Sequence, residues 1–305
     1  MLVGRRTVVS GMAAALGALA LPGWALPQKG THAVLLGTKG GPSPIPERAA
    51  PSTALVIDGR LHLVDCGNGV AHQLAKAGIA LPLLNQVYIT HNHSDHVIDV
   101  ATLLVLAWAA GLATPVAVHG PPPIAEIVKN GLGVSAYDMA ARMREEGRPP
   151  LEKLITVRER DTGGLVYRDD SVTVRSALVD HYTVRPAFAY RFDTADRSIV
   201  ISGDTTYSEA LAELARDADV LIHEALYEPF LDRISTANAP TLRDHLRKSH
   251  TTTEQIGQLA AKANVGKVVL THLVPAVGVT DEEWIVGVQK YYRGEIVVGR
   301  DLMVI

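Results

Sequence analysis

The run His91-x-His93-x-Asp95-His96 places four metal-ligating side chains within six residues, directly after the apolar stretch QVYIT. A solvated turn gains nothing from three crowded imidazoles. A divalent cation does, because neutral imidazole nitrogen and carboxylate oxygen are donors that zinc takes readily and iron or manganese less selectively. The spacing lets His91 and His93 pinch one ion while Asp95 and His96 turn toward a second. Four ligands from one loop do not complete two coordination shells, so others must come from elsewhere. His181 closes SVTVRSALVDH, Asp204 follows a buried run in VISGDTTY, and His272 ends KVVLTHL. Taken singly, each reads as an ordinary loop or cap residue. Taken with the first cluster, they read as the missing ligands, and Asp204 can reach both ions through its two oxygens. Two such ions bring the pKa of a shared water from about 15.7 toward 7. The chemistry this predicts is hydrolysis by a metal-bridging hydroxide.

The elements around these residues alternate in a recognisable way. THAVLLGT reads as a strand, and TALVIDGRLHLVD as a hairpin turning at Asp58-Gly59. Helical spacing follows over 68–79. QVYIT is a buried strand, and VIDVATLLVLAWAAGL behind it reads as one well-covered helix with Ser94 as N-cap. Helices are expected near 123–130, 136–146, 207–216, 252–263 and 281–291, with strands between them. Hairpins come first and helix–strand units later in each half, which predicts two sheets sandwiched between helices in one α/β domain.

Of 305 residues about half are apolar, enough for a sizeable core, and the net charge is −3 with no run of lysine or arginine. A protein that grips phosphate backbones usually carries a basic face, so no nucleic-acid partner is expected. Residues 1–25 read as an export signal of twin-arginine type: Arg5-Arg6, an alanine-rich apolar run, Pro22, then the small-x-small Gly23-Trp24-Ala25. The apolar run is too short to remain as a spanning helix. Residues 26–305 would then form the mature domain, periplasmic or secreted, with no stable membrane insertion. Cys66, the only cysteine, reads as a core thiol.

The series His-x-His-x-Asp-His, a later strand-end His, SGDT and a terminal TH is similar to the metallo-β-lactamase superfamily. It most resembles the branch of ribonuclease Z and ribonuclease Z-like hydrolases, including metallo-fold arylsulfatases. The likeness runs through VLLGTKGG, LVDCG, ITHNHSDH, VDHYTVRPAFAYRF, SGDT, DVLIHEA, SHTTTEQ and VVLTHL. It implies an αββα sandwich of two mixed β-sheets flanked by helices. It also implies one metal on His91, His93 and His181, a second on Asp95, His96 and His272, and Asp204 bridging. Zinc is the expected ion, with manganese or iron(II) as substitutes. Asp65 would orient a ligating imidazole through its other nitrogen. Asp95 would hold the proton of the attacking water. Glu224 and His250 match a pair that, in the family, meets beside the metals and helps protonate the leaving group. Leu226 departs from the threonine usual in ribonuclease Z. On the residues alone His250 reads equally as a helix N-terminal residue, and His223 and His245 as ordinary polar ones.

Substrate expectations follow by exclusion. β-Lactamases of this fold lack an aspartate at the Asp204 position, and flavin-linked di-iron reductases have glutamate in place of His93. Transfer-RNA processing is disfavoured by the export signal, the net charge, and the short interval between His181 and Asp204. The expected activity is hydrolysis of a small-molecule ester, arylsulfatase-like or phosphodiesterase-like. A lactonase is the alternative, and a ribonuclease Z-type endonuclease or a non-catalytic metal-binding protein ranks behind both. Trp108 and Tyr207 read equally as pocket lining or core. A homodimer and the role of 130–160 stay open.

Overall fold

A computed structural model describes residues 29–305 apart from 236 and 238. The expected export signal lies outside the described residues. The first half of the chain supplies β1 (Thr31–Gly37), β2 (Ser52–Ile57), β3 (Arg60–Val64), α1 (Val70–Lys76), β4 (Leu84–Tyr88), α2 (Ser94–Val97) and α3 (Val100–Ala109). It continues with β5 (Val116–Gly120), α4 (Ile124–Val134), α5 (Ala136–Glu146) and β6 (Ile155–Glu159). The second half supplies β7 (Gly164–Arg168), β8 (Val172–His181), β9 (Val184–Thr194), β10 (Ser198–Ile201), α6 (Glu209–Leu214), β11 (Val220–Leu226) and α7 (Leu242–Ser249). It closes with α8 (Thr253–Ala263), β12 (Lys267–Val274), α9 (Asp281–Gln289), β13 (Glu295–Val298) and β14 (Met303–Val304).

These strands form two seven-stranded mixed sheets, ordered β14-β1-β2-β3-β4-β5-β6 and β13-β12-β11-β10-β9-β8-β7. Each sheet is antiparallel where hairpins build it and parallel where helix crossovers do. The β2–β3 turn falls at Asp58-Gly59, both at positive φ (46° and 79°), as a primed hairpin turn requires. A layer between the sheets is filled by Leu35, Leu55, Ile57 and Tyr88 of one and Phe188, Tyr190, Phe192 and Ile222 of the other. The outer face of the first sheet packs on α1, α3, α4 and α5, and that of the second on α6, α8 and α9. The sandwich predicted from the sequence is the fold observed.

The expected single helix behind the histidine cluster is instead two. Ser94 begins α2 rather than capping it, His93 occupies the cap position without a side-chain cap bond, and the chain leaves the helical path at Asp99. There the Asp99 carboxylate accepts from Gly69 N at 2.6 Å and its own N–H donates to Cys66 O at 3.1 Å. A short polar side chain that bonds backbone elsewhere competes with helix continuation. The break ties the ligand loop to the β3–α1 corner that carries Asp65. Cys66 is fully buried, and burial pushes its thiol well above the ordinary range, as an inert core residue requires. Among the described residues no helix is long and apolar enough to cross a membrane.

Candidate metal centre

All seven residues singled out as ligands meet at one end of the sandwich, between the two sheets. His91 and His93 follow β4, Asp95 and His96 sit in α2, His181 ends β8, Asp204 follows β10, and His272 lies within β12. Two ligands are aimed by irregular strand pairing, which spacing alone did not reveal. β12 bulges so that Thr271 pairs with Glu224 and Leu273 with Ala225, leaving His272 between them at φ 42°. The β8–β9 register likewise shifts between Val179 and His181. A bulge re-aims one side chain without ending the strand. Before Asp204 the chain turns at Gly203 with φ 59°, where a Cβ would meet Phe188 O at 2.7 Å and Thr90 Cβ at 2.9 Å. Only glycine fits that approach.

The donor atoms converge. His93 Nδ1 lies 3.0 Å from His91 Nε2 and 3.1 Å from His181 Nε2. Asp204 Oδ2 lies 3.9, 3.3, 4.0 and 3.2 Å from the Nε2 atoms of His91, His96, His181 and His272. Asp95 Oδ2 is 3.7 Å from His96 Nε2 and 3.5 Å from His272 Nε2. The outer nitrogens decide the tautomers: His96 Nδ1 faces Asp65 Oδ2 at 2.8 Å and His181 Nδ1 faces the Ser249 carbonyl at 2.8 Å. Those acceptors take Nδ1–H, so in the neutral ring a metal requires it is Nε2 that presents the lone pair inward. Asp65 is fixed in turn by Thr90 N at 2.8 Å and Thr90 Oγ1 at 2.9 Å.

The donor set fits divalent cations. His96 Nε2, His272 Nε2 and Asp204 Oδ1 are buried without any hydrogen-bond partner, which is costly unless something else satisfies them. The nitrogens of His91, His93 and His181 converge to 3.0–3.1 Å, a spacing at which three neutral imidazoles can offer lone pairs to one shared cation. That spacing is near the edge of about 3.3 Å of a tetrahedron with zinc–nitrogen bonds of about 2.0–2.1 Å. Two groups, His91-His93-His181-Asp204 and Asp95-His96-His272, each bring their donors close enough to hold one ion. Burial holds His91 well below its ordinary pKa and brings His93 down to about 4, so both are neutral ligands at working pH. Burial alone would raise the Asp204 carboxyl, but His272 and His96 outweigh it and hold it well below the carboxylate range.

Glu224 and His250 meet beside this cluster. His250, at the C-terminal cap of α7 rather than a helix start, faces Glu224 Oε2 with Nδ1 at 3.3 Å. Glu224 Oε1 accepts from Thr251 N at 2.8 Å. Burial lowers the His250 pKa, yet Glu224 and Asp204 together raise it above the ordinary value. Leu226 is fully buried. A cleft of about 320 Å³ opens over these groups, lined among others by Gly41, Pro42, Asp95, His245, Leu246 and His250. His245, read as ordinary, therefore belongs to the cleft wall, with its ring 6.4 Å from that of His93. The helical spacing of Leu242, His245, Leu246 and Ser249 was the signal that could have found it. Lys39, also missed, is buried behind the Gly40-Gly41 loop and donates to the carbonyls of both glycines. Trp108 is core, its Nε1 bonded to Pro149 O at 2.9 Å. Tyr207 packs against the second-sheet core, and His223 is buried against its neighbour's carbonyl.

Fold and site together define a metallo-β-lactamase-fold hydrolase, and the chain belongs to the beta-lactamase superfamily, whose domain model matches residues 60–273. Every residue named above as a ligand or as part of the Glu224–His250 pair falls in that interval. Ribonuclease Z of Mycobacterium tuberculosis (strain H37Rv) is 34% identical over 272 residues, 88% of this chain and 95% of the relative. Ribonuclease Z of Mycobacterium avium (strain 104) is 35% identical with the same coverage. Among solved structures, the metallo-beta-lactamase fold protein YhfI from Bacillus subtilis superposes with TM-score 0.66 at 18% identity, covering 90% of this chain and 98% of that one. Human tRNase Z, short form, gives TM-score 0.65 at 21% identity, covering 90% and 98%. These two show the fold alone.

The curated relatives overturn two expectations. A small-molecule ester as substrate, with lactonase as alternative, does not stand, and neither does the exclusion of nucleic acid: the relatives that match nearly end to end are named ribonucleases. The brevity of the chain between His181 and Asp204 carries no weight against RNA, because the match already spans 95% of a ribonuclease Z. A net charge of −3 averages over the whole molecule and does not describe the surface around the cleft, so it does not exclude a nucleic-acid partner.

Proposed function

We propose that this chain is a metal-dependent endoribonuclease of the ribonuclease Z type, hydrolysing a phosphodiester in RNA. The observation that carries the reading is the near-full-length similarity to ribonuclease Z relatives at 34–35% identity. The inward-facing donor set supports it. His91, His93 and His181 would hold one divalent ion, Asp95, His96 and His272 a second, and Asp204 would serve both, with zinc preferred by the nitrogen-rich set. Bound there, the ions supply Lewis acidity that polarises the phosphoryl group and makes an attacking water acidic enough to react near neutral pH.

The chain's own residues do the rest. Asp95 Oδ2, at the cleft floor, accepts the proton of the attacking water. His250, its Nδ1 turned to Glu224, presents Nε2 for donation to the leaving oxygen. Glu224 is held by Thr251 N and so fixes the ring's orientation. Asp65 locks His96 through Nδ1 and prevents rotation of a ligand ring. Zinc-loaded protein, with His93→Ala as blank, is to be incubated with a precursor transfer RNA. Endonucleolytic products that need the metal support the reading, and intact RNA alongside hydrolysis of small esters refutes it.

A further inference from the structure

The turn joining β8 to β9 is built from an unsuitable residue. His181 pairs with Val184, so Tyr182 and Thr183 alone make the turn. Tyr182 sits at φ 55°, where primed two-residue turns take glycine, asparagine or aspartate. Three contacts enforce the conformation. Tyr182 N donates to Asp180 Oδ1 at 3.2 Å, Arg185 Nε donates to Tyr182 O at 3.0 Å, and Arg185 Nη2 donates to Asp180 Oδ1 at 2.9 Å. Strain in the backbone persists only where surroundings over-determine it, and such places cluster at functional sites. Tyr182 so held is 42% exposed. Lys248 reaches over it, Nζ 5.6 Å from the ring centroid. Tyr182 follows His181, and Lys248 lies in the last turn of the helix whose Leu242, His245 and Leu246 line the cleft.

An exposed aromatic beside a cation, one residue beyond a metal-site histidine, matches what an unpaired nucleotide requires: a stacking surface for the base and a charge for its phosphate. We infer that Tyr182 is the stacking platform for a base of the RNA strand next to the cleavage site, and that Lys248 neutralises the adjoining phosphate. This rests on the ribonuclease reading and names how the same site holds its strand.

The test compares Tyr182→Gly, Tyr182→Phe and Lys248→Ala with the zinc-loaded parent on precursor transfer RNA and on methyl p-nitrophenyl phosphate, a diester with no nucleobase. Tyr182→Gly relaxes the turn, so its Tm does not fall. Its KM for RNA rises roughly 5- to 150-fold, the loss of one stacked base, and the ratio of RNA to small-diester kcat/KM falls by the same factor. Tyr182→Phe keeps the parent's KM. Lys248→Ala flattens the salt dependence of log binding constant by about 0.7, one phosphate contact on a single strand. A parent that cuts RNA while Tyr182→Gly keeps its KM overturns the platform and leaves the ribonuclease reading intact. Equal losses on both substrates overturn it too, since Tyr182 then acts only by placing His181. A parent that does not cut RNA overturns both.

Discussion

His62 and His119 lie far from the metal ligands in sequence role but share the inter-sheet layer with Tyr88. The three rings stack in a column. His62 and Tyr88 have centroids 6.1 Å apart with planes at 11°, and Tyr88 and His119 5.1 Å apart, also at 11°. His62 Nδ1 faces Tyr88 Oη at 3.2 Å, His119 Nε2 faces Gln86 Oε1 at 2.9 Å, and His62 Nε2 has no partner. Burial is the main reason that both rings are pushed down to about 4. Arg158 and Arg160 add to it at His119, while at His62 Asp169 opposes it and Arg60 adds to it. In the unfolded chain each titrates near 6.5, so below that pH the unfolded state binds more protons and stability falls as pH drops, levelling off below about 4. Between pH 7 and pH 5 the loss is about 2 kcal/mol for each histidine, against a total of roughly 5–15 kcal/mol for a typical domain. His62→Phe keeps the aromatic contacts with Tyr88, Tyr167 and Phe192 and removes the proton site. Denaturant unfolding of parent and variant, metal-free, at pH 7 and pH 5 isolates the effect, because ligand titration is common to both proteins. The variant should gain about 2 kcal/mol on the parent over that interval. A difference that does not change with pH would refute the reasoning.

Three further outcomes follow from the site. Asp65→Asn removes the carboxylate that fixes His96 and should weaken metal affinity about 10- to 100-fold, read by chelator competition. Glu224→Gln should leave two ions bound while RNA cleavage falls about 10²- to 10⁴-fold, because only the orientation and charge of His250 change. Gly203→Ala meets the Phe188 carbonyl at 2.7 Å in a left-handed turn and should cost about 1–3 kcal/mol. Its Tm should fall, and its metal content with it, since Asp204 shifts.

The sequence showed ligand types, order and strand ends, and these sufficed for the fold and for the convergence of all seven donors. It did not show how β12 turns His272 inward, because a bulge depends on register with β11 rather than on local pattern. The break at Asp99 was hidden for the same kind of reason: its partners, Gly69 and Cys66, belong to another element. His245 looked ordinary because the metal-site residue its ring faces, His93, is remote in sequence. The exclusion of nucleic acid failed because a total charge of −3 does not report the charge of any one surface.

The central claim is that these seven residues hold two ions and that RNA is cut beside them. Metal-free protein titrated with zinc, each step assayed for bound metal and for single-turnover cleavage of precursor transfer RNA, tests it directly. Cleavage should rise to a plateau at two ions per chain, with His93→Ala and His272→Ala each inactive and each short of one ion. Full cleavage at one ion per chain, or none with two ions bound, would contradict the account.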